Sequence, residues 1–71
     1  MNIQEKISRQ LVFQRKKAKL SQERLADLAS VHRTYISQIE RNLKSPTLEV
    51  VFNICRALSI KPSDFIREIE K

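Results

Sequence analysis

Six hydrogen-bonding or cationic side chains recur at helical spacing in one short segment, and none of the six is acidic. The apolar residues of the same segment, Tyr35, Ile36 and Ile39, follow the spacing of an amphipathic helix, so the polar residues share its other face. A helix with such a face suits the major groove of DNA, where guanidinium, hydroxyl and amide groups bond to base edges. The six polar residues are His32, Arg33, Thr34, Ser37, Gln38 and Arg41.

A second amphipathic helix is predicted just before this one, with Ser21 as its N-cap and an apolar face at Leu25, Ala26, Leu28 and Ala29. The connection of residues 29–32 is too short for antiparallel packing, so the two helices must cross steeply. This is helix-turn-helix geometry, placed at about residues 22–41. Ala26 is small enough to let the two backbones approach closely.

Length and charge indicate one small domain with an anionic partner. The chain has 71 residues and a net charge of +6, which suggests nucleic acid. Residues 1–44 hold 10 Lys or Arg and 4 Asp or Glu, whereas residues 45–71 hold 4 of each. We therefore expect double-stranded DNA to meet the first half, and residues 47–70 to supply core and dimer surface.

The sequence contains no pattern typical of an enzyme, a metal site or a membrane protein. Cys55 is the single cysteine and His32 the single histidine, so no metal-ligand spacing is present and no internal disulfide can form. No catalytic constellation, cofactor motif or small-molecule effector domain is recognisable. Without a signal peptide or long apolar run, the expected compartment is the cytoplasm.

Three further helices are predicted around the helix-turn-helix, giving an all-α fold of five helices. The first spans Ile3 to about Ala18, with Asn2 as a plausible N-cap. Thr47 is the predicted N-cap of the fourth, which runs to about Leu58. The fifth is expected to begin at Ser63, just after Pro62.

A set of short motifs recurs at family spacing over about residues 3–65: Ser21-Gln22-Glu23, Leu25-Ala26, Ile36, Ile39-Glu40-Arg41 and Ser45-Pro46-Thr47-Leu48. Through them the chain resembles the Cro and phage-repressor (XRE-type) helix-turn-helix family. Through Arg33-Thr34-Tyr35-Ile36-Ser37 and Ile39-Glu40-Arg41-Asn42 it resembles, more narrowly, restriction-modification controller proteins. The resemblance implies a lambda-repressor-like fold and a transcriptional regulator that binds a near-palindromic operator as a homodimer.

Base contacts are expected from Arg33, Thr34, Ser37 and Gln38, although each can also be an ordinary solvated residue. Arg33 is the strongest candidate for a base contact, because a guanidinium can donate to two acceptors of one guanine at once. The expected phosphate contacts are Gln22, His32, Tyr35, Asn42, Lys44 and Ser45; of these, the resemblance implies Gln22 and the loop of Asn42, Lys44 and Ser45. Two alternatives stay open, because Tyr35 can simply pack and His32 can make no specific contact.

The resemblance also implies a partly buried ion pair between Arg15 and Glu40. Lys19, Ser30 and Asn42 occupy places where relatives often have glycine. Four apolar residues exceed what one side of a small core needs: Ile60, Phe65, Ile66 and Ile69. We expect a dimer interface formed by these residues with Phe52 or Ile54; the alternative is that the last helix only caps the monomer core with them.

Two other functions fit the same residues. An antitoxin of this fold would use its C-terminal half to bind a toxin and would form a heteromeric complex. A non-specific DNA- or RNA-binding basic domain would bind unrelated duplexes equally and lose affinity as salt rises. The polar, acid-free face of the predicted helix that contains Arg33, Ser37 and Gln38 favours specific recognition over this last alternative.

Overall fold

The computed structural model describes all 71 residues and contains five α-helices and no strand. They are α1 (Ile3–Lys17), α2 (Gln22–Ala29), α3 (Arg33–Glu40), α4 (Leu48–Ala57) and α5 (Pro62–Glu70). The all-α prediction is confirmed. None of the five helices has the length and apolar character needed to cross a membrane.

Side-chain caps start three of the helices where the sequence predicted them. Asn2, Ser21 and Thr47 each accept a hydrogen bond from the backbone N–H three residues further on, which satisfies a donor that the helix leaves free. The expected start of α5 at Ser63 is wrong by one residue. Pro62 is its first residue. Proline suits this position because its φ is already helical, and because the first N–H of a helix has no partner within the helix, so its absence costs nothing.

Four helices end in the same way, although the chain contains no glycine. Lys19, Ser30, Asn42 and Ser59 adopt left-handed backbone conformations, with φ between 58° and 62°. In each case the N–H of the next residue donates to the carbonyl five positions back, as in the Schellman motif. Those next residues are all apolar: Leu20, Val31, Leu43 and Ile60. Lys19, Ser30 and Asn42 are positions where the family resemblance implied glycine, whereas Ser59 was not expected to be left-handed.

The core brings the helix-turn-helix together with the other three helices. Leu25, Ala26 and Ala29 of α2 are buried against α3 and α4, while α1 packs on α3 and α5. The expectation that Leu28 belongs to this apolar face is wrong, because its side chain is exposed. The buried apolar residues are Leu11, Leu25, Ala26, Ala29, Ile36, Ile39, Val51, Ile54, Cys55, Leu58 and Phe65.

Two residues of the expected dimer interface are instead part of this core. Ile54 is 2% exposed and Phe65 is 3% exposed, so neither side chain can reach a second copy. Both face inward because α4 packs on α2 and α5 packs on α1 and α4. By contrast Phe52 is 51% exposed, and Ile60, Ile66 and Ile69 are only partly buried.

Candidate nucleic-acid interface

The outer face of α3 forms a polar notch beside the first turn of α2. Arg33 and Thr34 are exposed in the first turn of α3, and Ser37 follows one turn later on the same side. The notch has a volume of about 210 Å³ and no apolar residue lines it, so every residue of its wall carries a hydrogen-bonding group. We call it the α3 notch; it is lined by Gln22, Arg33, Thr34, Ser37 and Arg41.

Glu40 is the only acidic residue of α3, and its side chain is turned away from the α3 notch into the protein. Its carboxylate accepts from Arg15 at two atoms, Nε at 2.6 Å and Nη2 at 3.1 Å. The two side chains are only 14% and 6% exposed, and Arg15 also donates to the carbonyl of Leu20 at 2.8 Å. The expected ion pair is therefore present, and it removes the negative charge from the surface that DNA would meet.

Gln22 is held by the same carboxylate. Its Nε2 donates to Oε1 of Glu40 at 2.9 Å, so residues from α1, α2 and α3 meet in one hydrogen-bonded cluster. The rest of the Gln22 side chain lines the α3 notch next to Arg33. Gln22 thus connects a buried ion pair with the proposed DNA surface, a link that the sequence analysis did not foresee.

The loop after α3 is fixed by the first half of α1. Gln4 donates through Nε2 to the carbonyl oxygen of Asn42 at 3.0 Å and to its Oδ1 at 3.2 Å. Ser8 donates to the carbonyl oxygen of Glu40 at 2.6 Å. These bonds satisfy carbonyls at the end of α3 and hold the expected phosphate-binding loop in place. Sequence reasoning missed Gln4, because only the tertiary fold brings it to a residue 38 positions away.

The remaining expected contacts lie around the same surface. His32 precedes α3 at the N-cap position without a capping bond, and Gln38 is half-buried on α3. Tyr35 lies at the edge of the core, with Nζ of Lys44 at 5.9 Å from its ring centroid. Ser45 is exposed further along the loop. Arg41, which sequence reasoning placed on this face without assigning it a contact, lines the α3 notch.

A family model described as Helix-turn-helix matches residues 13–65. Control protein C.BamHI of Bacillus amyloliquefaciens is 42% identical over 50 residues, which are 70% of this chain and 62% of that protein. Control protein C.SmaI of Serratia marcescens is 36% identical over 59 residues, 83% of this chain and 70% of that protein. This chain therefore matches less than two thirds of the length of C.BamHI.

A structural comparison extends over almost the whole chain. The crystal structure of the wild-type restriction-modification controller protein C.Esp1396I superposes with a TM-score of 0.90 and 28% sequence identity. The superposition covers 99% of this chain and 90% of that one. The similarity thus includes α1 and α5, which lie partly outside the segment that the family model matches.

Proposed function

The chain belongs to the helix-turn-helix family, and from that membership and the geometry of α3 we propose that it is a sequence-specific, DNA-binding transcriptional regulator of the restriction-modification controller type. The α3 notch is the observation on which this proposal rests. It combines the guanidinium and two hydroxyl groups of α3 with the guanidinium of Arg41, which directly follows α3, and the amide of Gln22 from α2. These are groups that bond base edges in the major groove and phosphates beside it.

Charge supports specific recognition by α3. The basic residues of the chain concentrate in residues 1–44, while the one carboxylate of α3 is paired with Arg15 inside the protein. A helix in the major groove therefore presents cationic and neutral donors without a repelling group. In this arrangement Arg33, Thr34, Ser37 and Gln38 contact bases, and Gln22, His32, Tyr35, Asn42, Lys44 and Ser45 contact phosphates.

Selection of binding sites from a random duplex pool at about 150 mM salt tests the proposal. We expect an enriched near-palindrome, and Arg33→Ala should relax one position of each half-site by about 1–3 kcal/mol of discrimination. Arg67→Ala is the matched control, because it removes the same charge from an exposed residue of α5. The regulator proposal fails if no sequence is enriched and binding only weakens as salt rises.

Dimerisation is part of the same proposal and uses the α4–α5 side of the molecule. Ile3, Ile7, Leu48, Ile66 and Ile69 line most of an apolar groove of about 410 Å³ there, and Phe52 is exposed on the same helix as Leu48. α3 packs on α1 and α2, so a partner on α4 and α5 leaves α3 free. A symmetric pair then presents its two copies of α3 about 34–36 Å apart, one turn of DNA.

Sedimentation measurements on Phe52→Glu test this interface. A charge buried between two copies would be unpaired, so we expect the variant to be monomeric and to lose its preference for the paired half-sites. Phe13→Glu is the matched control, since Phe13 is similarly exposed but lies on the outer side of α1. The interface is excluded if only one wild-type chain binds each operator duplex. It is also excluded if Phe52→Glu still sediments as a dimer.

A controller role also predicts that the protein binds DNA near its own gene. Such a protein would regulate its own promoter, so duplex DNA from upstream of its own coding sequence should contain the selected site. Binding to that duplex, but not to a shuffled version of the same composition, is the result we expect in a mobility-shift assay. A stable heteromeric complex with a neighbouring gene product would favour the antitoxin alternative instead.

A further inference from the structure

Gln22 faces two environments at once. On one side its Nε2 lies 2.9 Å from a carboxylate oxygen of Glu40, which is itself held by Arg15. On the other side Gln22 lines the α3 notch together with Arg33, Thr34 and Ser37. The side chain is half-buried, while Glu40 is almost completely buried.

The chemistry of Glu40 decides which end of the Gln22 amide points inward. An ionised carboxylate only accepts hydrogen bonds, so the NH₂ group of Gln22 must face Glu40. The NH₂ group has two hydrogens, and Glu40 takes one of them. Because the amide group is planar, holding the first N–H also restricts the direction of the second, which remains available on a side chain that lines the α3 notch.

We propose that Glu40 is a positioning residue for DNA binding, which fixes the amide of Gln22 so that its second N–H donates to a backbone phosphate. The inference rests on the proposed function and extends it from the contacting residue to the buried group behind it. An exposed glutamine loses rotamer freedom when it binds, whereas a glutamine already held by a buried carboxylate loses little. Glu40 would then serve binding as well as stability.

The contact can be tested first without DNA. In a ¹⁵N-labelled wild-type protein, one side-chain amide proton of Gln22 should exchange slowly with solvent and resonate apart from its partner. In the double variant R15M/E40M both signals should move to the values of a free side chain. This variant removes both charges of the ion pair, so no lone buried charge is left to unfold the protein. Unchanged Gln22 signals in a folded double variant would overturn the proposal.

Binding to the selected operator tests the functional step. In the wild-type background Gln22→Ala should weaken binding about tenfold per half-site, the effect of losing one hydrogen bond to a charged group. In the R15M/E40M background the same substitution should weaken binding less than about twofold, because Gln22 is no longer held. The matched control is D64N/R67Q, which removes an exposed ion pair and leaves Arg15 and Glu40 in place, so Gln22→Ala should retain its effect there.

A duplex with a neutral methylphosphonate at the contacted phosphate gives an independent readout. On that duplex the effect of Gln22→Ala should fall well below tenfold, because the charge is gone and only a neutral phosphoryl acceptor remains. The proposal is overturned if Gln22→Ala costs the same with and without Glu40. Failure of the wild-type protein to prefer its selected site over a scrambled duplex would instead overturn the proposed function, while the amide signals still report the contact between Glu40 and Gln22.

Discussion

Removal of one partner from the buried ion pair should be among the most destabilising changes in this chain. In Arg15→Met the carboxylate of Glu40, 6% exposed, loses two hydrogen bonds from the guanidinium and keeps only that of Gln22. An uncompensated buried charge costs about 3–5 kcal/mol. Against a total stability of about 4–11 kcal/mol for 71 residues, this loss approaches global unfolding.

Urea unfolding followed by circular dichroism measures this cost. With a slope of about 1 kcal/mol per molar urea for a small domain, the midpoint should fall by about 3 M or more. The control is Arg67→Met, which breaks the exposed pair with Asp64 and should cost less than about 1 kcal/mol. Both experiments are made at one protein concentration, because dimerisation makes apparent stability depend on it.

The double variant R15M/E40M separates charge from packing. If the unpaired carboxylate causes the instability, the double variant should regain most of the loss, since apolar side chains can replace a buried pair at little or no cost. A cost below about 1 kcal/mol for Arg15→Met would refute the reasoning by placing the pair in the class of surface ion pairs. A double variant as unstable as the single one would assign the loss to packing.

Three further changes test other parts of the fold. Lys19→Gly should stabilise the protein by about 0.5 kcal/mol, because a left-handed backbone is strained for lysine and not for glycine. Arg9→Gly, at an exposed position in the middle of α1, should instead destabilise it by about 1 kcal/mol in the same urea titration. Thr47→Ala should lower the free energy of unfolding by about 1 kcal/mol, because α4 loses its N-cap. Ser45→Ala, in the exposed loop before α4, should be nearly neutral, and equal effects of the two substitutions would contradict the capping role of Thr47. Burial raises the pKa of the Cys55 thiol from 9.0 to about 11, so the unfolded chain ionises first, and the free energy of unfolding should fall as the pH rises from about 9 to 11. Cys55→Ala should lack that component of the decline, and an identical pH dependence in both proteins would contradict it.

Local patterns were sufficient to locate most of the fold. The spacing of Leu25, Ala26, Ile36 and Ile39 predicted α2 and α3, and all four residues are buried. Capping residues predicted the starts of α1, α2 and α4, because a cap depends only on the three residues that follow it. The polar face of α3 was likewise readable, since residues on one helix have a fixed angular relation to each other.

The sequence alone did not decide which apolar residues face inward on the outer helices. Ile54, Phe65, Phe52 and Leu48 are all large and apolar, yet the first two are buried in the core and the last two are exposed. A helical pattern defines an apolar stripe but not the partner that the stripe meets. The packing of α4 on α2 and of α5 on α1 and α4 makes that choice.

The sequence by itself determined the five helices, the helix-turn-helix within them and the basic character of the first 44 residues, because each follows from neighbours along the chain. Local patterns did not determine how distant residues meet. The family resemblance implied the pairing of Glu40 with Arg15, 25 residues away, but only the tertiary structure brought Gln22 to the same carboxylate and Gln4 to Asn42. Burial makes such contacts strong, and burial is a property of the packed chain, not of any segment of it.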